Sequence, residues 1–275
     1  MRISSSTANL YRRASTAAET TSQALYGESI RILSDNTPWL EIELHTDKYT
    51  GFIQSHHVTD KPYQQTHRVN TKATPLFQQA DIKSPIELLL VLSSELNVKA
   101  CEHPNFWKTD TDHFIWKEHT VNSKHTSDEP LVDIAQRFFT GAPYLWGGRS
   151  TNGLDCSALV QLSAKLKGHN LPRDTQDQEV YFRTIVSPNS VAKNLNYETP
   201  SSSDEIRPQV KLVDYEEREQ NDLMYWPGHV AIVADKNTVF HATAHSLDCR
   251  FETLAQVEER AGVAHAVWRL QSGLI

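Results

Sequence analysis

Tyr144-Leu145-Trp146-Gly147-Gly148-Arg149-Ser150-Thr151-Asn152-Gly153-Leu154-Asp155-Cys156-Ser157-Ala158-Leu159-Val160 is the stretch on which the reading of this chain turns. A glycine-rich loop delivers Asp155, a residue type that caps helices, and then Cys156 at the start of a run with Leu159, Leu162 and Leu166 on one helical face. A thiol in the first turn of a helix sits at the positive end of the peptide dipoles, which predicts a lowered pKa and a reactive thiolate. Taken alone, a free cysteine is more often a small buried hydrophobe. The company Cys156 keeps has to decide between the two.

Upstream of the loop, Leu131, Ile134, Ala135 and Phe138 follow helical spacing, with Ser127 or Asp128 as candidate caps and Gly141 as the stop. Downstream, Leu171-Pro172-Arg173-Asp174-Thr175 leads into a third helix over about 176–185. Residues 187–219 are polar and proline- and serine-rich, and read as a surface insertion. Strands follow at Leu223–Trp226, His229–Val233 and Thr238–Ala242, then a short helix near 255–259 and a last strand over 263–270. Helices first and an antiparallel sheet after them make an α+β arrangement.

The first half of the chain has a different rhythm. Trp39-Leu40-Glu41-Ile42-Glu43-Leu44 alternates with period two behind the Asp35-Asn36-Thr37-Pro38 turn, and Thr50-Gly51-Phe52-Ile53 offers a closing strand. This predicts a small all-β barrel over residues 1–62. His67–Val69, Leu88–Leu92, Leu96–Val98 and Phe114–Trp116 predict a second over 63–125, leaving 126–275 for the α+β domain.

Composition narrows the function. The 275 residues carry a formal net charge of −7, so neither nucleic acid nor an anionic membrane is the expected partner. The three cysteines, Cys101, Cys156 and Cys249, are widely spaced and form neither a disulfide framework nor a Cys-x-x-Cys pair. No export signal and no run long enough to cross a bilayer is visible, so the expected compartment is the cytoplasm.

His229 and His241 supply the chemistry that Cys156 needs. In a hairpin centred on Lys236, paired residue numbers have an even sum, so both histidines share a face as diagonal neighbours on the order of 7 Å apart at Cβ. One imidazole then takes the thiol proton and the second fixes its tautomer. Two histidines and a cysteine also suit zinc, the rival reading. For the oxyanion, the backbone N–H of Cys156 and the phenol of Tyr144 are both candidate donors.

With the run 144–160, Leu171–Thr175, Asp222–Trp226, Gly228–Val233 and Phe240-His241-Ala242 in view, the chain resembles the NlpC-type papain-like cysteine peptidases, in particular γ-D-glutamyl-L-diamino-acid endopeptidases with bacterial SH3-like domains ahead of the catalytic domain. The resemblance implies a papain-like α+β domain behind two SH3-like barrels. It implies Cys156 as nucleophile, His229 as base and acid, and His241 as the residue that orients His229. It further implies murein stem peptides as the small-peptide substrate, cut between γ-D-glutamate and the diamino acid, with no metal or other cofactor. Asp155 and Ser157 would meet the free amine of the L-Ala unit, Thr175 would stand where the family often has a small hydroxyl residue, and Glu28 and Tyr49 of the first barrel would close the groove. Two features depart from the family pattern: the 187–219 insertion, and Asn221 where a glycine commonly precedes the Asp-Leu strand. An inert peptide-binding protein, an acyltransferase or amidase, and a hydrolase of intact peptidoglycan remain as alternatives, and the oligomeric state is open.

Overall fold

The computed structural model describes residues 1–61, 64–187 and 209–271. The chain forms two compact units, Met1–His125 with Leu145–Leu154, and Thr126–Tyr144 with Asp155–Ile275. Much of the expected insertion, 188–208, lies outside the described residues.

In the first unit, Thr20–Leu25, Thr7–Tyr11, Thr50–Gln54, Trp39–Leu44 and Ile30–Asn36 pair in that spatial order into a five-stranded antiparallel sheet. Period-two patterning explains its packing: Leu40, Ile42 and Leu44 are buried with Ile3, Leu10 and Ile53, while the residues between them are only partly covered. The second module has a five-stranded sheet running from Ile86–Val91 to Val98–Ala100 and a three-stranded one centred on His67–Val69. Val69, Leu76, Leu90, Leu96 and Ile115 fill its core, and Tyr26 of the first module joins them.

Residues 145–154 also belong to this unit. Arg149–Ser150 pairs with Gly153–Leu154, and the Arg149 guanidinium donates to both carboxylate oxygens of Glu28 at 2.7 and 2.8 Å. Both side chains are fully buried. Gly147, at φ +72°, lies so close to the first module that a Cβ there would fall 2.6 Å from the Thr20 carbonyl oxygen, which is why the loop needs glycine.

The second unit is built on a six-stranded antiparallel sheet. Its spatial order is Gln209–Val213, Ala266–Gln271, Leu223–Trp226, His229–Asp235, Thr238–Thr243 and Asp248–Thr253. Within the 187–219 stretch read as a surface insertion, Gln209–Val213 forms a strand of this sheet, Val210 and Leu212 pairing with Leu270 and Trp268. Among the described residues the unit's α-helices are Leu131–Phe139, Cys156–Leu166, Thr175–Val186 and Leu254–Ala261. The Cys156 helix is buried over nearly its whole length, as a central helix packed on a sheet must be.

Neither Ser127 nor Asp128 caps the first helix: Pro130 is its N-cap, without a side-chain bond. The Val132 N–H donates instead to Asn221 Oδ1 at 3.0 Å. Asn221 itself has φ +77°. Asparagine is among the few residue types besides glycine that tolerate this conformation, and it adds a side-chain acceptor that glycine lacks. That accounts for the departure at this position.

Candidate active site

Asp155 caps the Cys156 helix, accepting from Ala158 N–H at 3.0 Å. Arg173 then grips the same carboxylate through two nitrogens, at 2.9 and 2.7 Å, and reaches Ser157 Oγ at 2.9 Å. Ser157 Oγ donates to Asp155 at 3.1 Å. Arg173 and Asp155 are almost wholly buried. Gln178 braces the assembly from the next helix, donating to the Ser157 and Pro172 carbonyls and accepting from Tyr225. The first turn of the Cys156 helix is therefore held by a buried polar network in which each group has partners.

Cys156 Sγ lies 3.9 Å from Thr175 Oγ1 and 4.0 Å from the Gly228 carbonyl oxygen. The Val230 backbone N–H also donates to it. The thiol thus touches the backbone on both sides of His229. Burial, reinforced by the negative charge of Asp155, pushes the thiol up to about 11, against Val230 N–H, Thr175 and Arg173, which pull it down. This reverses the expectation from the helix dipole, because a dipole at a helix start does not outweigh near-complete burial beside a carboxylate. The resting group is a neutral thiol.

His229 Nε2 and His241 Nδ1 are 2.9 Å apart. The strand register explains it. Ile232 pairs with Phe240 and Val233 with Val239, so paired numbers sum to 472, and an irregularity before Asp235 absorbs the offset of the turn. Both odd-numbered histidines therefore lie on one face. Burial, and then His241, push His229 down to about 3. His241 is lowered chiefly by burial as well. Because the two rings bond to each other rather than converging on a common point, they do not make a zinc site with Cys156. Among the described residues no group of three His, Cys, Asp or Glu side chains is set to hold a metal ion.

Tyr144 is half-buried, and burial followed by the nearby Cys156 and Asp155 charges raises its phenol, which keeps its proton and remains a donor. The backbone N–H of Tyr144 is fixed on Leu247.

The residues expected to receive an ammonium group fare differently. Glu28 is not an exposed barrel residue: its carboxylate is fully buried in the first unit, bound by Arg149 and by Leu25 N–H. Tyr49 is packed against the first module's core with its hydroxyl on the Thr21 carbonyl at 3.3 Å. Asp155 is committed to its helix and to Arg173, and Ser157 to both. Asp174, next to Thr175, pairs with Arg173 at 3.9 Å and keeps a side chain 49% exposed. In Leu171–Thr175 the sequence points to Thr175 as a site residue and gives no signal for its neighbour. Arg173, Gln178 and Glu252 were missed too, each acting through a partner distant in sequence.

A neutral thiol makes a direct prediction. Thiolate fraction sets alkylation rate, so the rate with iodoacetamide is expected to climb about tenfold per pH unit between pH 7 and 10. Iodoacetamide kinetics followed by intact mass check this, and a plateau below pH 8 would show a resting thiolate instead. Since the folded-state thiol pKa lies above its usual value, the same group stabilises the fold at neutral pH and loses that contribution as pH rises from about 9 towards 11.

Comparison with known proteins identifies the domains. Residues 141–261 match the NlpC/P60 family, and residues 10–58 match the bacterial dipeptidyl-peptidase SH3 domain. Dipeptidyl-peptidase 6 of Lysinibacillus sphaericus is 24% identical over 259 residues, covering 86% of this chain and 84% of the relative. Gamma-D-glutamyl-L-lysine dipeptidyl-peptidase of Bacillus subtilis (strain 168) is 26% identical over 171 residues, covering 57% and 56%. The crystal structure of an NlpC/P60 family protein from Bacillus cereus ATCC 10987 superposes with a TM-score of 0.73 at 16% identity, covering 99% of each chain. The chain thus carries an NlpC/P60 domain behind a bacterial dipeptidyl-peptidase SH3 domain.

Proposed function

We propose that this chain is a cysteine peptidase that hydrolyses the γ-D-glutamyl to diamino acid bond of murein stem peptides with a free N-terminal L-Ala. The observation that carries the reading is the His229–His241 hydrogen bond beside a thiol whose Sγ touches the backbone on either side of His229. The name of the Bacillus subtilis relative, gamma-D-glutamyl-L-lysine dipeptidyl-peptidase, supports the choice of bond.

In this reading the Sγ proton passes to His229 and the thiolate attacks the γ-carbonyl carbon. The carbonyl oxygen becomes an oxyanion facing Tyr144 and the N–H groups of the helix start. The C–N bond then breaks, the departing amine takes the proton from His229, and a thioester remains on Cys156. Water, deprotonated by His229, attacks the thioester, and the proton returns to Sγ as L-Ala-D-Glu leaves. Asp174 receives the substrate's ammonium, the part first assigned to Asp155 and Glu28. Free stem peptides are products of wall turnover, so the reaction belongs to cell-wall recycling, and the cytoplasm is the compartment that suits it. Three unpaired thiols support that placement.

Mass-spectrometric product analysis with L-Ala-γ-D-Glu-L-Lys and its meso-diaminopimelate counterpart tests the proposal. L-Ala-D-Glu and the free diamino acid are the expected products. Acetylating the amino terminus is expected to lower kcat/KM by roughly 10- to 100-fold, the worth of one charge-assisted hydrogen bond. Asp174→Asn should cost the free peptide a similar factor and the acetylated one little. Equal cleavage of both peptides, or release of stem peptides from intact peptidoglycan at a higher rate, would instead favour a hydrolase of the assembled wall.

A further inference from the structure

Beyond His241 the hydrogen-bonded chain continues. His241 Nε2 is 3.1 Å from Glu252 Oε2, and Arg260 Nη2 donates to that same oxygen at 2.6 Å. Glu252 lies on the edge strand Asp248–Thr253, opposite Val239 and therefore on the face of His241. Arg260 comes from the closing helix Leu254–Ala261. That helix is held at its start by a reciprocal cap between Thr253 and Gln256, immediately after Glu252. Four side chains from three strands and a helix thus run in line: His229, His241, Glu252, Arg260.

We propose that Glu252 is a positioning residue of the peptidase, held by Arg260, that dictates which nitrogen of His229 is basic. The inference rests on the cysteine-peptidase reading of the site. An ionised carboxylate can only accept, so His241 Nε2 must carry its hydrogen. The neutral ring then has a lone pair on Nδ1, which accepts from His229. His229 Nε2 therefore carries the hydrogen, and the remaining lone pair sits on His229 Nδ1. That nitrogen is left to take the proton of the thiol. When it does, the imidazolium still donates from Nε2 into His241, and the induced charge is answered by Glu252 at the end of the line.

Glu252 is kept in the form this requires. Burial works to raise its pKa, but the hydrogen bond and charge of Arg260, with a smaller part from His241, hold it below the usual carboxylate range. An amide in its place removes the constraint. Glutamine can donate as well as accept, so both rings can reverse together: His241 Nδ1–H donating to His229 Nε2, and His229 carrying its hydrogen on Nδ1. A ring in that state cannot accept the thiol proton.

Nitrogen-15 NMR of the histidines in the full-length protein at neutral pH reads this directly, whatever the substrate proves to be. His229 and His241 are both expected as single Nε2–H tautomers in the unmodified protein. In Glu252→Gln, His241 is expected to populate the Nδ1–H form. Turnover of the free stem tripeptide should then fall in kcat by roughly 10- to 100-fold, with KM changed less than about threefold, because no group touching substrate is altered. Arg260→Gln, which leaves the carboxylate in place, should keep the tautomers and cost kcat less than Glu252→Gln. An Nδ1–H tautomer at His241 in the unmodified protein would overturn the proposal, as would unmodified tautomers and kcat in Glu252→Gln. If Glu252→Gln does not fold, the tautomers of the unmodified protein and of Arg260→Gln still decide it. If no stem peptide is turned over at all, the function reading fails, while the tautomer result stands independently.

Discussion

Cys156→Ala is expected to abolish turnover of the free stem tripeptide, by on the order of 10⁴-fold or more in kcat, while leaving peptide binding within a few-fold. The size of the effect follows from chemistry rather than from packing. Alanine differs from cysteine here by one sulfur at a 6% exposed position, so the helix, its Asp155 cap and the Arg173 clamp remain. Without Sγ there is no thioester, and the histidine pair has no proton to take. Isothermal titration with the tripeptide should report an affinity close to that of the unmodified protein, and product analysis should show no L-Ala-D-Glu above background. A variant retaining a tenth of normal kcat would rule out Cys156 as the nucleophile. Loss of binding together with turnover would show that the substitution disturbed the site instead.

The largest structural effect is expected at Arg149. Arg149→Met leaves Glu28 as a carboxylate in the interior of the first unit, stripped of both its guanidinium bonds, and should lower unfolding stability by about 3–5 kcal/mol. The Arg149 side chain also donates to the Gln23 carbonyl, which loses that partner too, whereas the backbone N–H bond to Gln23 Oε1 survives the substitution. The signature of a buried ion pair is that removing the second charge helps. Arg149→Met combined with Glu28→Met should recover a substantial part of the loss, since two apolar side chains need no partners. Urea unfolding of the two single variants and the double variant measures this. Additive losses in the double variant would mean that the pair does not act as a unit.

The difference between these residues explains what the sequence reveals. Cys156, His229 and His241 are legible because each is placed by local rules: a cap residue before a helix start, and a hairpin whose numbering puts two odd residues on one face. Trp39–Leu44 is legible for the same reason, as alternation along one strand. The burial of Glu28 is not legible in its Tyr-Gly-Glu turn because it depends on Arg149, 121 positions away. Arg173 and Asp155 are 18 positions apart, and nothing in the spacing marks them as a pair. Glu252 and Arg260 look like solvated charges on an edge strand and a terminal helix. Their meaning comes only from the histidine between Glu252 and the base. The thiol pKa was misjudged because a helix start is visible in sequence and desolvation is not.

The loop Leu145–Leu154 has a consequence for how such a chain can be inherited. The first unit is not a contiguous stretch of sequence: it borrows ten residues encoded after the start of the second, and with them the guanidinium that its buried carboxylate requires. A recombination junction near residue 125 would separate Glu28 from Arg149 even though it falls between two compact bodies. The piece that can be exchanged intact between genes is therefore the whole β-module and peptidase tandem. Selection on the interior of a barrel constrains the same loop that leads into Cys156.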